Sequence, residues 1–180
     1  MDLRIISTIG TSEPITLAEA KNYLRVVNTA DDALITSIIT NARMQVERFI
    51  NSDIVSKQRA LFLPVVDCPI NLPYAPVMQI DSVTVDGEAN ADYESNGLDN
   101  PLISFGLSSL YGYQSTRTTT TTSFRNVQIT YTTTGISDES LKLAVLACVA
   151  WLYHGRDAVM GTNWKAYATP FKIFGYYGTR

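Results

Sequence analysis

The sequence is poor in charge, in cysteine and in histidine. Charged side chains make up 17% of its 180 residues, below the ~25% of an ordinary globular protein, which points to a surface that partners cover. The two cysteines, Cys68 and Cys148, stand far apart with neither a CxxC nor a histidine at metal-ligand spacing. That argues against a disulfide framework and against a zinc site. No apolar run approaches the ~20 residues of a membrane helix. Met1 to Gly10 carries Asp2 and Arg4, so it does not read as a secretory signal, and a cytoplasmic origin fits. A basic footprint is also missing: the net charge is −3 and the pI about 5.1, which disfavours a dedicated nucleic-acid binder. There is no GxSxG, P-loop or GxGxxG phrase to carry nucleophilic or nucleotide chemistry.

What is present is a chain of globular composition, 46% hydrophobic, with clear helical punctuation. Thr16-Leu17-Ala18-Glu19 has the spacing of a capping box, in which the hydroxyl and the carboxylate satisfy each other's end of the first turn. It predicts a short helix to about Arg25, with Ile15 stapled on Ala20. Asp31 and Asp32 open a second helix over 31–51. Its apolar residues Leu34, Ile35, Ile38, Ile39, Ala42, Val46, Phe49 and Ile50 fall at 3–4 spacing, with Arg43 and Arg48 late, where the helix dipole favours cations. The short link makes the two a pair.

Residues 55–135 change character. Pro64, Pro69, Pro73 and Pro76 punctuate short β-forming runs, with strands predicted over Lys57–Leu63, Val77–Val85, Leu102–Phe105 and Val127–Thr132. Asp86-Gly87 is a hairpin-turn signal. A third helix is predicted from near Ser137 to near Arg156, with Leu141, Ala144, Val145, Cys148, Leu152 and Tyr153 as its apolar stripe.

Charge is unevenly spread. No Lys or Arg occurs from Ala60 to Thr116, a stretch that holds Asp67, Asp81, Asp86, Glu88, Asp92, Glu94 and Asp99. After Asp157 come Lys165, Lys172 and Arg180 with no acid. Two readings stand side by side. One is a solvated acidic hairpin with a mildly basic tail. The other is a marked interface, in which acidic lobes and basic tails of neighbouring copies or partners attract and set register. The carboxylates Asp81, Asp86, Glu88 and Asp92 do not have EF-hand offsets, and Asp86-Gly87-Glu88 reads as a turn rather than a metal site. His154 sits at a helix end without a nucleophile motif, and Cys148 on the apolar stripe reads as a small hydrophobe. The run Thr116–Ser123 is either a polar loop or edge strand, or a loop that projects onto a neighbour. The tail places Trp164, Tyr167, Phe171, Phe174, Tyr176 and Tyr177 within 14 residues. Such a segment either packs on its own domain or docks on a partner.

The order of these phrases resembles a known family. "ITLAEAKNYLRV" followed by "DDALITSIITNARMQVERFI" is similar to the N-terminal signature of phage head–tail connector proteins, or neck adaptors. Pro14, Thr16, Leu17, Glu19, Ala20, Lys21, Leu24, Arg25, Asp31, Asp32, Ala33, Leu34 and Ile35 carry that match. "LKLAVLACVAWLYHGRDA" resembles the family's later helix through Ala144, Leu146, Ala147, Trp151, Tyr153 and Arg156, and "VQITYTTTG" its preceding strand and turn. The resemblance spans about 14–157. Residues 88–124 and the tail match none of its phrases.

The resemblance implies an α+β fold, a small helical bundle with an inserted β region and an extended C-terminal tail. It implies a single connector domain over 1–180: a helix pair at 14–54, an inserted β-rich acidic region at 55–135, a third core helix at 136–157 and an aromatic docking tail at 158–180. It implies a structural role without catalysis or cofactor: a ring, usually twelvefold, beneath the portal at the head–tail junction of a virion made in the bacterial cytoplasm. The partners would be the portal protein, a stopper or tail-completion protein and other copies of the chain, with genome DNA passing as cargo and no membrane. In relatives the C-terminal segment docks on the portal. Here that role would fall to Trp164, Tyr167, Phe171, Lys172, Phe174, Tyr176, Tyr177 and Arg180, and deletion of 162–180 would leave a folded monomer unable to join. The acidic residues Asp81, Asp86, Glu88, Asp92, Glu94 and Asp99 would face the lumen or a neighbour. The alternatives are a stopper or tail-completion protein lower in the neck, a small hydrolase using the acidic-lobe carboxylates, and a DNA-binding module.

Overall fold

The computed structural model describes residues 2–10, 12–66, 69–99, 101–105, 124–155 and 164–173. The elements in chain order are β1 (Asp2–Thr8), α1 (Leu17–Leu24), α2 (Asp32–Ile50), β2 (Lys57–Val66), β3 (Ile70–Asn71), β4 (Val77–Val85), β5 (Glu88–Ala89), β6 (Tyr93–Ser95), β7 (Leu102–Phe105), β8 (Phe124–Thr133), α3 (Glu139–His154), α4 (Trp164–Ala168) and a 3-10 turn (Thr169–Phe171). The α+β class expected from the sequence is therefore what the chain adopts. The described residues divide into two compact units. The first takes the chain up to Ile9 together with Ser56–Thr134. The second takes Gly10–Val55 and resumes at Gly135.

The first unit is built on a five-stranded antiparallel sheet in the order β1-β2-β8-β4-β5. Alternate residues of its central strands, Leu61, Val127, Ile129, Tyr131 and Val83, turn to one face and are almost completely buried, as the period of two dictates. The Tyr131 hydroxyl donates to the Pro73 carbonyl at 2.8 Å, so the largest core side chain is also satisfied at its polar end. Asp86 and Gly87 both take positive φ, 51° and 87°, as a two-residue type I′ hairpin requires, and join Val85 to Glu88. A second sheet, β3-β7-β6, adds Ile103 and Phe105 to the same core.

β2 runs past its expected end at Leu63 and through Pro64 to Val66. β1 pairs only with Lys57 to Phe62, and the β8 ladder passes from Leu63↔Val127 to Val65↔Arg125. Pro64 thus sits where no ladder N–H is needed. β1 itself had no counterpart in the sequence reading. It is an edge strand, exposed along most of its length, so it lacks the alternation that marks a half-buried strand.

The second unit is helical. Ile35, Ile39, Ala42, Val46 and Ile50 of α2 pack with Leu141, Ala144, Val145, Cys148 and Val149 of α3 and with Ala20 and Leu24 of α1. The expected capping box is present. Thr16 Oγ1 accepts from the Glu19 N–H at 3.2 Å, and Glu19 accepts from the Thr16 N–H at 2.6 Å. Ile15 beside it is buried. α1 and α2 each end on a non-glycine residue in the left-handed region, Arg25 and Asn51.

Candidate assembly surfaces

The residues that carry the family resemblance are occupied in holding the helices together. Lys21 of α1 binds Asp32 of α2 at 2.6 Å. Asp31, at the start of α2, accepts from the Tyr153 hydroxyl of α3 at 2.7 Å. The acidic pair therefore ties α2 to one helix on each side. Glu19, hydrogen-bonded by the Thr16 backbone and hydroxyl, titrates below the usual carboxylate range.

Sequence reasoning missed a second polar network. Arg43 is nearly buried and reaches Glu13 at 2.7 Å and Glu47 at 3.0 Å. Glu13 also accepts from Thr40, and Glu47 from the backbone N–H groups of Ile54 and Val55. Burial alone would lower the guanidinium pKa. The hydrogen bonds and charges of Glu13 and Glu47 outweigh it and hold the pKa above its ordinary value. Arg43 had been assigned to the helix dipole. The i,i+4 spacing of Arg43 and Glu47 was the available signal. The remaining described carboxylates of this unit are engaged too. Asp138 caps α3 through the Ser140 N–H, Glu139 pairs with Lys142, and Asp53 is buried with interactions of its own.

The tail divides. Trp164 is 5% exposed and meets the Phe49 ring edge-on, centroids 5.5 Å apart. Its ring is spent on the core of its own unit. Phe171 and Lys172 are half-buried, and Tyr167 is exposed. The Ile173 N–H donates to the Ile50 carbonyl at 2.8 Å, and the Asn51 side-chain amide donates to the Ile173 carbonyl, so 164–173 is fastened to the end of α2. Phe174, Tyr176, Tyr177 and Arg180 lie outside the described residues, as do Cys68, Arg156 and the Thr116–Ser123 run. Deleting 162–180 would strip Trp164 and Ala168 from the core, so the folded truncation expected from the sequence does not follow. A cut after Ile173 spares that packing.

The acidic residues do not behave alike. Asp81 on β4 accepts from Gln58, Gln79 and Thr132. Partial burial pushes its pKa up, and the three hydrogen bonds together outweigh this and hold it below the usual range. Asp86 at the hairpin tip accepts from the Asn126 amide of β8 at 2.7 Å. Glu88, Asp92, Glu94 and Asp99 are exposed. Among the described residues no group of three His, Cys, Asp or Glu side chains converges as a metal site would, and no helix is long and apolar enough to cross a membrane. Cys148 is fully buried, and burial pushes its thiol up to about 12, far from the range of a nucleophilic thiolate. His154 lies exposed at the end of α3 with its ring edge-on to Tyr153.

The surface keeps unusual apolar exposure. Ile5, Ile6 and Ile9 in and beside β1 are each about half exposed, and β1 is paired along one edge only. On the second unit Val27 stands 94% exposed at the α1–α2 turn, beside the half-exposed Tyr23. Exposed edges and apolar side chains of this kind mark surfaces that association covers.

The chain belongs to the phage gp6-like head-tail connector protein family, whose sequence profile matches residues 14–116. Solved structures share its fold. A chain from the neck of an empty GTA particle, computed with C6 symmetry, superposes with a TM-score of 0.71 at 18% identity over 100% of both chains. One from the neck of a native GTA particle, computed with C12 symmetry, gives 0.71 at 21% over 100% of both. One from the virion of a native gene transfer agent particle gives 0.69 at 22% over 99% of both. No curated protein matches the chain.

Proposed function

We propose that the chain is a structural subunit of the neck of a tailed phage or phage-like particle, forming a ring beneath the portal. The ring, of about twelve copies in the arrangement usual for such adaptors, extends the channel for DNA and presents a surface to the stopper or tail-completion protein. The observation that carries this reading is the connector-family match over 14–116, joined to a fold shared end to end with chains from GTA necks. The exposed β1 edge, the isoleucines around it and the low charge content agree with a subunit that neighbours cover.

Portal docking falls, on this reading, to the last part of the tail, Phe174, Tyr176, Tyr177 and Arg180. Trp164 anchors that segment rather than touching the partner. The acidic residues Glu88, Asp92, Glu94 and Asp99, with Asp86 at the hairpin tip, face the lumen or a neighbour. The test is co-sedimentation with portal-bearing capsids of the full chain and of a chain ended after Ile173. Binding by the full chain and loss in the shortened, still folded chain supports tail docking. Equal binding by both rejects it. A full chain that stays in the supernatant points to a lower position in the neck.

A further inference from the structure

The end of α2 and the fastened tail gather cations around one aromatic ring. Lys172 Nζ lies 4.9 Å from the Phe49 ring centroid. Lys165 Nζ lies 5.8 Å from the same centroid and 5.7 Å from that of Trp164. Arg48 precedes Phe49 on the exposed side of α2, and Tyr167 stands 45% exposed one turn along α4 from Trp164. Arg48 and Lys165 form no ion pair among the described residues. The unit's carboxylates Glu13, Glu19, Asp31, Asp32, Glu47, Asp138 and Glu139 are engaged elsewhere within it. The first unit shows the reverse. Glu88, Asp92, Glu94 and Asp99 are exposed and form no ion pair with a described residue.

From this we infer that the Arg48–Lys165–Tyr167 shelf is the seat of the acidic lobe, Glu88 to Asp99, of a second copy of the chain. The inference rests on the ring reading above and names its contact. The contact is heterologous, one patch of each copy meeting a different patch of the next, which is the type of contact that closes rings. Cations held over aromatic faces keep part of their charge directed outward and lose little freedom on docking. Complementary charge also fixes register and repels the wrong pairing of lobe on lobe or shelf on shelf.

Zero-length carbodiimide cross-linking of the full chain tests it, with equal parts of ordinary and 15N-labelled protein at high concentration and low salt. Mixed-isotope amide links should join Lys165 or Lys172 to carboxylates of 88–99, and should fall at least tenfold in 0.5 M salt, where the Debye length shrinks to about 4 Å. Arg48→Glu with Lys165→Glu should abolish the links made by position 165. Adding Glu88→Lys and Glu94→Lys to the same chain should restore mixed links of opposite polarity. All four positions are exposed, so the variants keep the fold, which circular dichroism checks. Links confined to single molecules, or a swapped chain that gains none, overturn the inference. So does a shelf variant that loses salt-dependent DNA binding while its parent gives no mixed links, since the shelf would then be a polyanion site. Mixed links with no uptake onto a portal would strike the portal reading and leave this contact standing.

Discussion

Arg43 shows most directly what single side chains contribute here. Its guanidinium pairs with the buried Glu47 carboxylate at 3.0 Å. Arg43→Ala removes that partner, and removing one member of a buried pair costs about 3 kcal/mol. Denaturant unfolding should show a lower midpoint at unchanged slope, and Glu47→Gln in the same chain should recover part of the loss. Trp164→Ala empties a site in contact with Phe49 and should cost a comparable ~3 kcal/mol. Stability near that of the parent would mean that the tail is not part of the core. Asp81 contributes a pH dependence. Its pKa is lowered in the folded chain, so its stabilisation is present above the unfolded value of about 4. It is lost as the pH falls through the folded value. Asp81→Asn should therefore lower stability at pH 7 by about 1 kcal/mol, allowing for solvent around a partly exposed group. It should also flatten the acid limb of the stability curve.

At the scale of elements, local chemistry made much of the fold legible. The Thr16–Glu19 box placed α1 within a residue, the apolar stripe placed α2 and α3, and Asp86-Gly87 placed the β4–β5 hairpin. Val77–Val85 and Leu102–Phe105 came out with the expected ends. These signals succeed because each is satisfied within a few residues of itself. β1 failed because an edge strand exposed on both faces has no period to read. β3, β5 and β6, two or three residues each, exist only through their partners. The Glu13–Arg43–Glu47 network was hidden for the same reason, since Glu13 lies 30 residues from the side chain it binds. The candidate site was readable in outline only: the sequence showed an acidic stretch and a basic aromatic tail, while burial separated Trp164 from Tyr167 and hydrogen bonding separated Asp81 from Glu88. Two changes probe the local devices. Thr16→Ala should cost about 1 kcal/mol as the cap is lost. Gly87→Ala meets no neighbouring atom yet places a Cβ at φ +87°, and should cost about 1 kcal/mol through backbone strain alone.

For the molecule as a whole, the signature residues Lys21, Asp31 and Asp32 join α1, α2 and α3. Exposed surface lies at the β1 edge, the α1–α2 turn, the acidic lobe and the Arg48–Lys165–Tyr167 shelf. The measurement that tests this account most directly is the solution mass of the full chain by light scattering, alone and after mixing with a purified portal ring. The account predicts a complex whose added mass is a whole ring of 19.9 kDa subunits, about twelve in the arrangement usual for such adaptors. A chain whose mass is unchanged by the portal at any ratio would contradict it.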